Sequence, residues 1–198
     1  CQGPAFTYTI TVNPAPTITN SPLYQAVCSN QPSTEVILTS NVSGTTFSWT
    51  ATADPPNLTG WIPSGTSIIP SQTIINPNNV PGTITFHINP SGTIGGCAPA
   101  SRDYVIEVGP VPAVNSPLTG EVCSGGIFNY SMSSNVANCS FQWNRAPVSG
   151  ITPPSSSGIN PNISETLYNN TSNNLNAVYQ ITPTSPAPFY CTGDPTDV

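Results

Sequence analysis

Six cysteines, Cys1, Cys28, Cys97, Cys123, Cys139 and Cys191, are the side chains of this 198-residue sequence best suited to chemistry, and that chemistry is disulfide formation. No two of them stand two to four residues apart and the only histidine is solitary, which argues against a zinc site. Acid–base catalysis needs a base held near a nucleophile, or two carboxylates facing each other across a cleft. His87 lies on the outward face of an alternating run, and the acids Glu35, Asp54, Asp103, Glu107, Glu121, Glu165, Asp194 and Asp197 are scattered. There is no Gly-x-Ser-x-Gly elbow, no phosphate-binding loop and no His-Glu-x-x-His motif. No catalytic residue, metal ligand or cofactor is therefore expected. Trp61, which follows Gly60 in a Pro- and Ser-rich loop, is the one candidate ligand-binding side chain. It reads either as a stacking platform for a sugar or partner, or as a cap over the end of a core.

The cysteines recur because the chain repeats. Cys28 to Cys97 returns as Cys123 to Cys191, and Thr39-Ser-Asn-Val-Ser-Gly-Thr-Thr-Phe-Ser-Trp49 returns as Ser133-Ser-Asn-Val-Ala-Asn-Cys-Ser-Phe-Gln-Trp143. Cys1, Tyr8, Ile10, Val12, Pro14 and Pro16 match Cys97, Tyr104, Ile106, Val108, Pro110 and Pro112, each 96 residues on. His87 matches Gln180, so the shared scaffold does not need an imidazole there. A period of this length is one domain rather than one turn of a solenoid. The expected organisation is the final strand of a preceding repeat over residues 1–15, a complete repeat over 16–111, and a second repeat over 112–198 that lacks its final strand. It reads as a window of a longer array. A covalent continuation would supply the missing strand, with donation of the Ala5 to Val12 strand by a neighbouring chain as the alternative.

Composition narrows the partners. Only 5% of residues are charged and the two basic side chains are Arg102 and Arg145, too few to neutralise a nucleic-acid backbone. No apolar stretch approaches the roughly 18 residues of a membrane span. Six recurring cysteines suit an oxidising compartment, and scarce Lys and Arg leave little for a trypsin-like protease, both pointing outside the cell.

The elements that must position these residues are strands. Phe6, Tyr8, Ile10 and Val12 alternate with threonines, Tyr104, Ile106 and Val108 repeat the pattern, and Ile84, Phe86 and Ile88 alternate with Thr85, His87 and Asn89. A hairpin turn is expected near Asn89-Pro-Ser-Gly92, with further strands at Glu35 to Ser40, Thr45 to Thr50 and within Thr66 to Asn76. The fold class is all-β: tandem immunoglobulin-like antiparallel sandwiches of about seven strands each, with almost no helix. Pro14-Ala-Pro16 and Pro110-Val-Pro112 form the joints. Trp49 and Trp143 sit where such a sandwich keeps its buried aromatic, on the third strand.

Two cysteine pairings fit this frame. Within repeats, Cys28 joins Cys97 and Cys123 joins Cys191, each closing a loop of about 70 residues for roughly 4 kcal/mol. Against that, the first loop and the last lie at opposite ends of a sandwich, roughly 24 Å apart for seven-residue strands. Between repeats, the first end of one module abuts the second end of the next, so Cys28 joins Cys191 and Cys97 a cysteine of the preceding module. Cys139, at the start of the third strand, competes for Cys191.

The set Val27-Cys-Ser29, Ser40-Asn-Val42, Thr46-Phe-Ser-Trp49, Pro81-Gly-Thr-Ile-Thr-Phe86, Gly96-Cys97 and Tyr104-Val-Ile-Glu-Val108-Gly-Pro110 resembles the PKD-like and immunoglobulin-like repeats of very large Bacteroidetes surface proteins, including gliding-motility adhesins exported by the type IX secretion system. The second repeat departs from it at Cys139 and at Pro188 and Phe189. The resemblance implies a non-enzymatic spacer on the cell surface, in a filament or adhesin, whose partners are adjacent repeats. Alternatives are a module that binds polysaccharide or another surface protein, and an accessory domain of a secreted hydrolase.

Overall fold

The computed structural model describes residues 2–91 and 97–198, and among these every regular element is a β-strand. The first module contains β1 (Tyr24–Cys28), β2 (Val36–Ile37), β3 (Thr46–Asp54), β4 (Ser64–Thr66), β5 (Ile68–Ile69), β6 (Gly82–Ser91) and β7 (Arg102–Gly109). The second contains β8 (Ile127–Ser131), β9 (Ser140–Arg145), β10 (Ile151–Thr152), β11 (Ser156–Gly158), β12 (Asn162–Thr166), β13 (Tyr168–Asn169), β14 (Tyr179–Thr184) and β15 (Thr196–Asp197). In the first module a five-stranded sheet ordered β1-β7-β6-β3-β4 faces the small β2-β5 ladder. The second repeats the plan with β11-β9-β14-β15 and a β12-β8 pair, plus a β10-β13 pair.

Alternation decides which face is buried. Along β6, Ile84, Phe86 and Ile88 are wholly buried while the residues between them are not, and along β7 Tyr104, Ile106 and Val108 do the same. Trp49 closes this core from β3, edge-on to Phe86, with its indole N–H donated to the Ile68 carbonyl. A strand neighbour without a side chain lets the indole lie flat on the sheet. Gly65 pairs with Trp49, and a Cβ there would fall 2.3 Å from the ring. Gly158 pairs with Trp143 in the same way, at 2.9 Å. Burying large aromatics behind a glycine is thus part of the repeat, and each module has its own core.

The structure corrects several expectations. The sandwiches are not wholly antiparallel, because β1 runs parallel to β7. The chain enters the first module beside the start of β7, where Thr17 bridges Ala100, and both segments then run to the far end. This pairing adds β1 to the sheet as its edge strand beside β7. Residues 5–12 form no strand: Phe6 and Tyr8 are 91% and 87% exposed, since an alternating segment with no partner has no ladder to join. Only Val36–Ile37 of the expected Glu35 to Ser40 strand is regular. The hairpin turn after β6 falls partly on residues 92–96, outside the described residues. Of the second repeat's final strand the first two residues are present, as β15. Thr196 and Asp197 pair with Ile181 and Gln180 as Arg102 and Asp103 pair with Ile88 and His87.

Candidate functional site

The residues with the most to do in this molecule meet at the junction between the modules. Leaving β7 at Gly109, the chain passes through Pro110-Val-Pro112, and both prolines are buried rather than spanning open solvent. The next residue is held by a side chain: the backbone N–H of Ala113 donates to Asn135 Oδ1 at 2.7 Å, and Asn135 Nδ2 reaches back to Asn79 Oδ1 in the first module at 2.7 Å. Asn41 grips Thr17 identically, at 2.7 Å, after the earlier Pro-x-Pro. The asparagine of the recurring Ser-Asn-Val string is therefore a joint clamp. The string's recurrence is legible in the sequence, whereas its approach to the proline joints is not, since more than twenty residues separate them.

Above the joint, the loop after β14 folds back on itself. Ser185 N donates to the Cys191 carbonyl at 2.8 Å and Cys191 N to Ser185 Oγ at 2.9 Å, which fixes how Cys191 is presented. Phe189 on this loop lies on Gly109, where a Cβ would come within 2.4 Å of its ring. Only glycine at the end of β7 admits that approach. Cys28, the last residue of β1, stands opposite Gly109 in the parallel ladder, and so meets the same loop. Cys28 and Cys191 are bonded as a disulfide, with Cα atoms 5.6 Å apart.

This excludes both within-repeat pairings, since each proposed pair loses one member to the inter-module bond. The reason is the end-to-end geometry of the sandwich: Cys28 leaves β1 at the end from which β7 exits, and the second module enters there. Cys97 is a free, half-buried thiol and Cys123 a free, exposed one. Cys139 does not reach Cys191; it stays free and packs against the second core. Cys1 lies outside the described residues.

The remaining candidates lie elsewhere. Trp61 is half-buried and packs against the first core, with its indole N–H donated to the Leu58 carbonyl at 2.9 Å. Its ring and its donor are both in use within the module, the arrangement of a core cap. Trp61→Ala should lower the melting temperature of the first module by several degrees, for a loss of about 2 kcal/mol, followed by calorimetry. An unchanged melting temperature would contradict the packing role. His87 pairs on the surface with Asp103, Nδ1 to Oδ1 at 2.7 Å, with both side chains more than half exposed. Its counterpart Gln180 meets Asp197, the counterpart of Asp103, so the contact is a cross-strand pair of the scaffold. Among the described residues, no three His, Cys, Asp or Glu side chains converge on a possible metal site.

One constellation gives no sign of itself in the sequence. Arg145 at the end of β9 is 1% exposed, with Nε donating to Glu165 Oε2 at 3.1 Å and the guanidinium ends donating to the carbonyls of Pro153 and Pro154. Tyr179 donates its hydroxyl to the same Glu165 oxygen at 2.5 Å. Burial pushes the Glu165 carboxyl up, but Ser156, Tyr179 and Arg145 outweigh it and hold the pKa below the ordinary carboxylate value. Burial, and then the neighbouring Glu165 carboxylate, push the Tyr179 phenol well above its ordinary value. A charged pair so enclosed and saturated by hydrogen bonds is a core element of the second module.

The family comparison agrees with this two-module architecture. The family model described as PKD-like domain matches the chain twice, over residues 25–112 and 120–198. No curated protein matches it. Among solved structures, the chain is similar to the crystal structure of DIP-gamma IG1+IG2 at 10% identity, over 93% of this chain and 95% of that one, with a TM-score of 0.40. It is similar also to the crystal structure of Dpr11 IG1 bound to DIP-gamma IG+IG2, at 10% identity over 93% and 96%, with a TM-score of 0.35. With two matched segments that together span most of its length, the chain belongs to the PKD-like domain family, as a tandem of two such domains.

Proposed function

We propose that this tandem is a spacer of a long extracellular filament or adhesin at a cell surface, of the kind that gliding-motility adhesins contain, built to hold its modules in line under tension. The observation that carries this reading is the covalent bond from the start of one module to the end of the next, Cys28 to Cys191. A staple across the joint limits how far the two modules can be drawn apart, which is what a strut under tension needs. The buried joint prolines, the Asn135 clamp and the Phe189 wedge act in the same sense, removing hinge freedom that a bare linker would leave. A disulfide-closed module pair also fits an oxidising, extracellular or secreted setting.

The gap at the junction, between Pro81, Pro110, Val136 and Phe189, has a volume of about 150 Å³. Ligand pockets run to about 300–1,000 Å³, so this gap is a packing defect between modules. Small-angle scattering tests the reading. The oxidised chain should give one elongated particle of fixed length, and a thiol reductant should broaden its distance distribution. A distribution already broad when oxidised would overturn the spacer reading. So would saturable binding of a glycan or matrix protein that is lost on replacing exposed side chains.

A further inference from the structure

Each module carries two cysteines of the staple, one at each end, and only one of each is used. Cys123 matches Cys28, and Cys97 matches Cys191. The match extends to how the first kind is presented. In the first module Gln31 N closes a turn on the Cys28 carbonyl at 3.0 Å, with Asn30 at φ 64°. In the second, Gly126 N closes the same turn on Cys123 at 2.8 Å, with Gly125 at φ 80°. One turn thus holds a bonded half-cystine and the other holds an exposed thiol.

We propose that Cys123 and Cys97 are the open halves of the same staple, and that their partners are further modules of this repeat type docked head to tail. Cys123 bonds the last-loop cysteine of a following module, and Cys97 the first-end cysteine of a preceding one. The Cys28–Cys191 bond already joins the equivalent residues of this chain across such a junction. Thiol–disulfide exchange makes the bond. One cysteine thiolate attacks a small-molecule or enzyme disulfide and releases one thiol. The second cysteine thiolate then displaces the other thiol, so the acceptor takes up the two electrons and two protons. Staples at successive junctions would overlap, because a bond from Cys123 starts inside the loop closed by Cys28 and Cys191 and ends beyond it. Such an array transmits tension mainly through its disulfides.

The inference rests on the spacer reading and can fail separately from it. In a tandem of residues 1–198 followed by residues 9–198 of a second copy, Thr9 continues the strand begun at Thr196–Asp197 in the register of β7. After exchange in a glutathione redox buffer, alkylation and non-reducing peptide mapping should recover three cystines: Cys28–Cys191 in each copy, and Cys123 of the first copy with Cys97 of the second. Cys139 should remain alkylatable in both. Cys123→Ser in the first copy should restore full alkylation of the second copy's Cys97. If both Cys28–Cys191 bonds form while Cys123 and the second copy's Cys97 stay reactive, or pair with Cys139, the inference is wrong and the spacer reading stands. If Cys28–Cys191 fails to form, both fall.

Discussion

Pulled from its two ends in oxidising buffer, the chain is expected to lengthen only through the residues before Cys28 and after Cys191. The disulfide joins positions 163 residues apart, so both modules lie almost wholly inside a closed covalent loop. At about 3.4 Å per extended residue, the bond withholds roughly 550 Å of contour that unfolding would otherwise release. A single-molecule stretching experiment should show this length missing when oxidised and recovered on adding reductant, or with Cys28→Ser. Bonds within each module would instead withhold roughly 230 Å twice, in two separate locks. Full extension under oxidising conditions would leave the junction bond with no mechanical meaning. The magnitude explains why this connectivity suits a strut: strand ladders resist force kinetically, whereas a disulfide caps the extension whether or not they hold.

The repeat makes most of this legible in the sequence alone. Alternation at Ile84, Phe86 and Ile88 and at Tyr104, Ile106 and Val108 gave the central strands, because both faces of those strands see very different surroundings. The short layer was less legible: β2 and β5 pair over two residues each, and so little ladder has no period to detect. Residues 5–12 have the pattern of β7 without its neighbours, a reminder that alternation reports which face would be buried and not whether a partner is present. The cysteines needed topology as well as spacing, since the bonded pair is far apart in sequence and only the order of module ends brings it together. The buried ion pair was beyond reach altogether. Arg145 and Tyr179 occupy the places of Ala51 and Phe86, paired in the same register, and nothing local marks an arginine at a strand end as enclosed.

Loss of that ion pair is the second large effect expected. Glu165→Ala removes the acceptor for Arg145 Nε and for the Tyr179 hydroxyl, leaving a guanidinium without its counter-charge inside the second module. Stranding a buried charge costs about 3–5 kcal/mol, a large part of the 5–15 kcal/mol typical of a whole domain. Calorimetry should show the second module's transition fall or vanish while the first module, whose equivalent site is Ala51 against Phe86, keeps its own. Replacing the group with apolar residues, Arg145→Met with Glu165→Leu and Tyr179→Phe, should restore the second module to within about 1 kcal/mol of the parent. That outcome separates a stranded charge from a merely disturbed core. The pH dependence has the same origin. Because the folded Glu165 carboxyl titrates below its unfolded value of 4.5, its contribution is complete above that pH and is lost as the pH falls through the lower folded value. The second module should therefore destabilise first on acidification, and Glu165→Gln should flatten that response. An acid response unchanged in Glu165→Gln would mean that another carboxylate governs it. The comparison also separates the two modules' tasks: the first can rely on an apolar core, while the second ties β9, β12 and β14 together through one charged node.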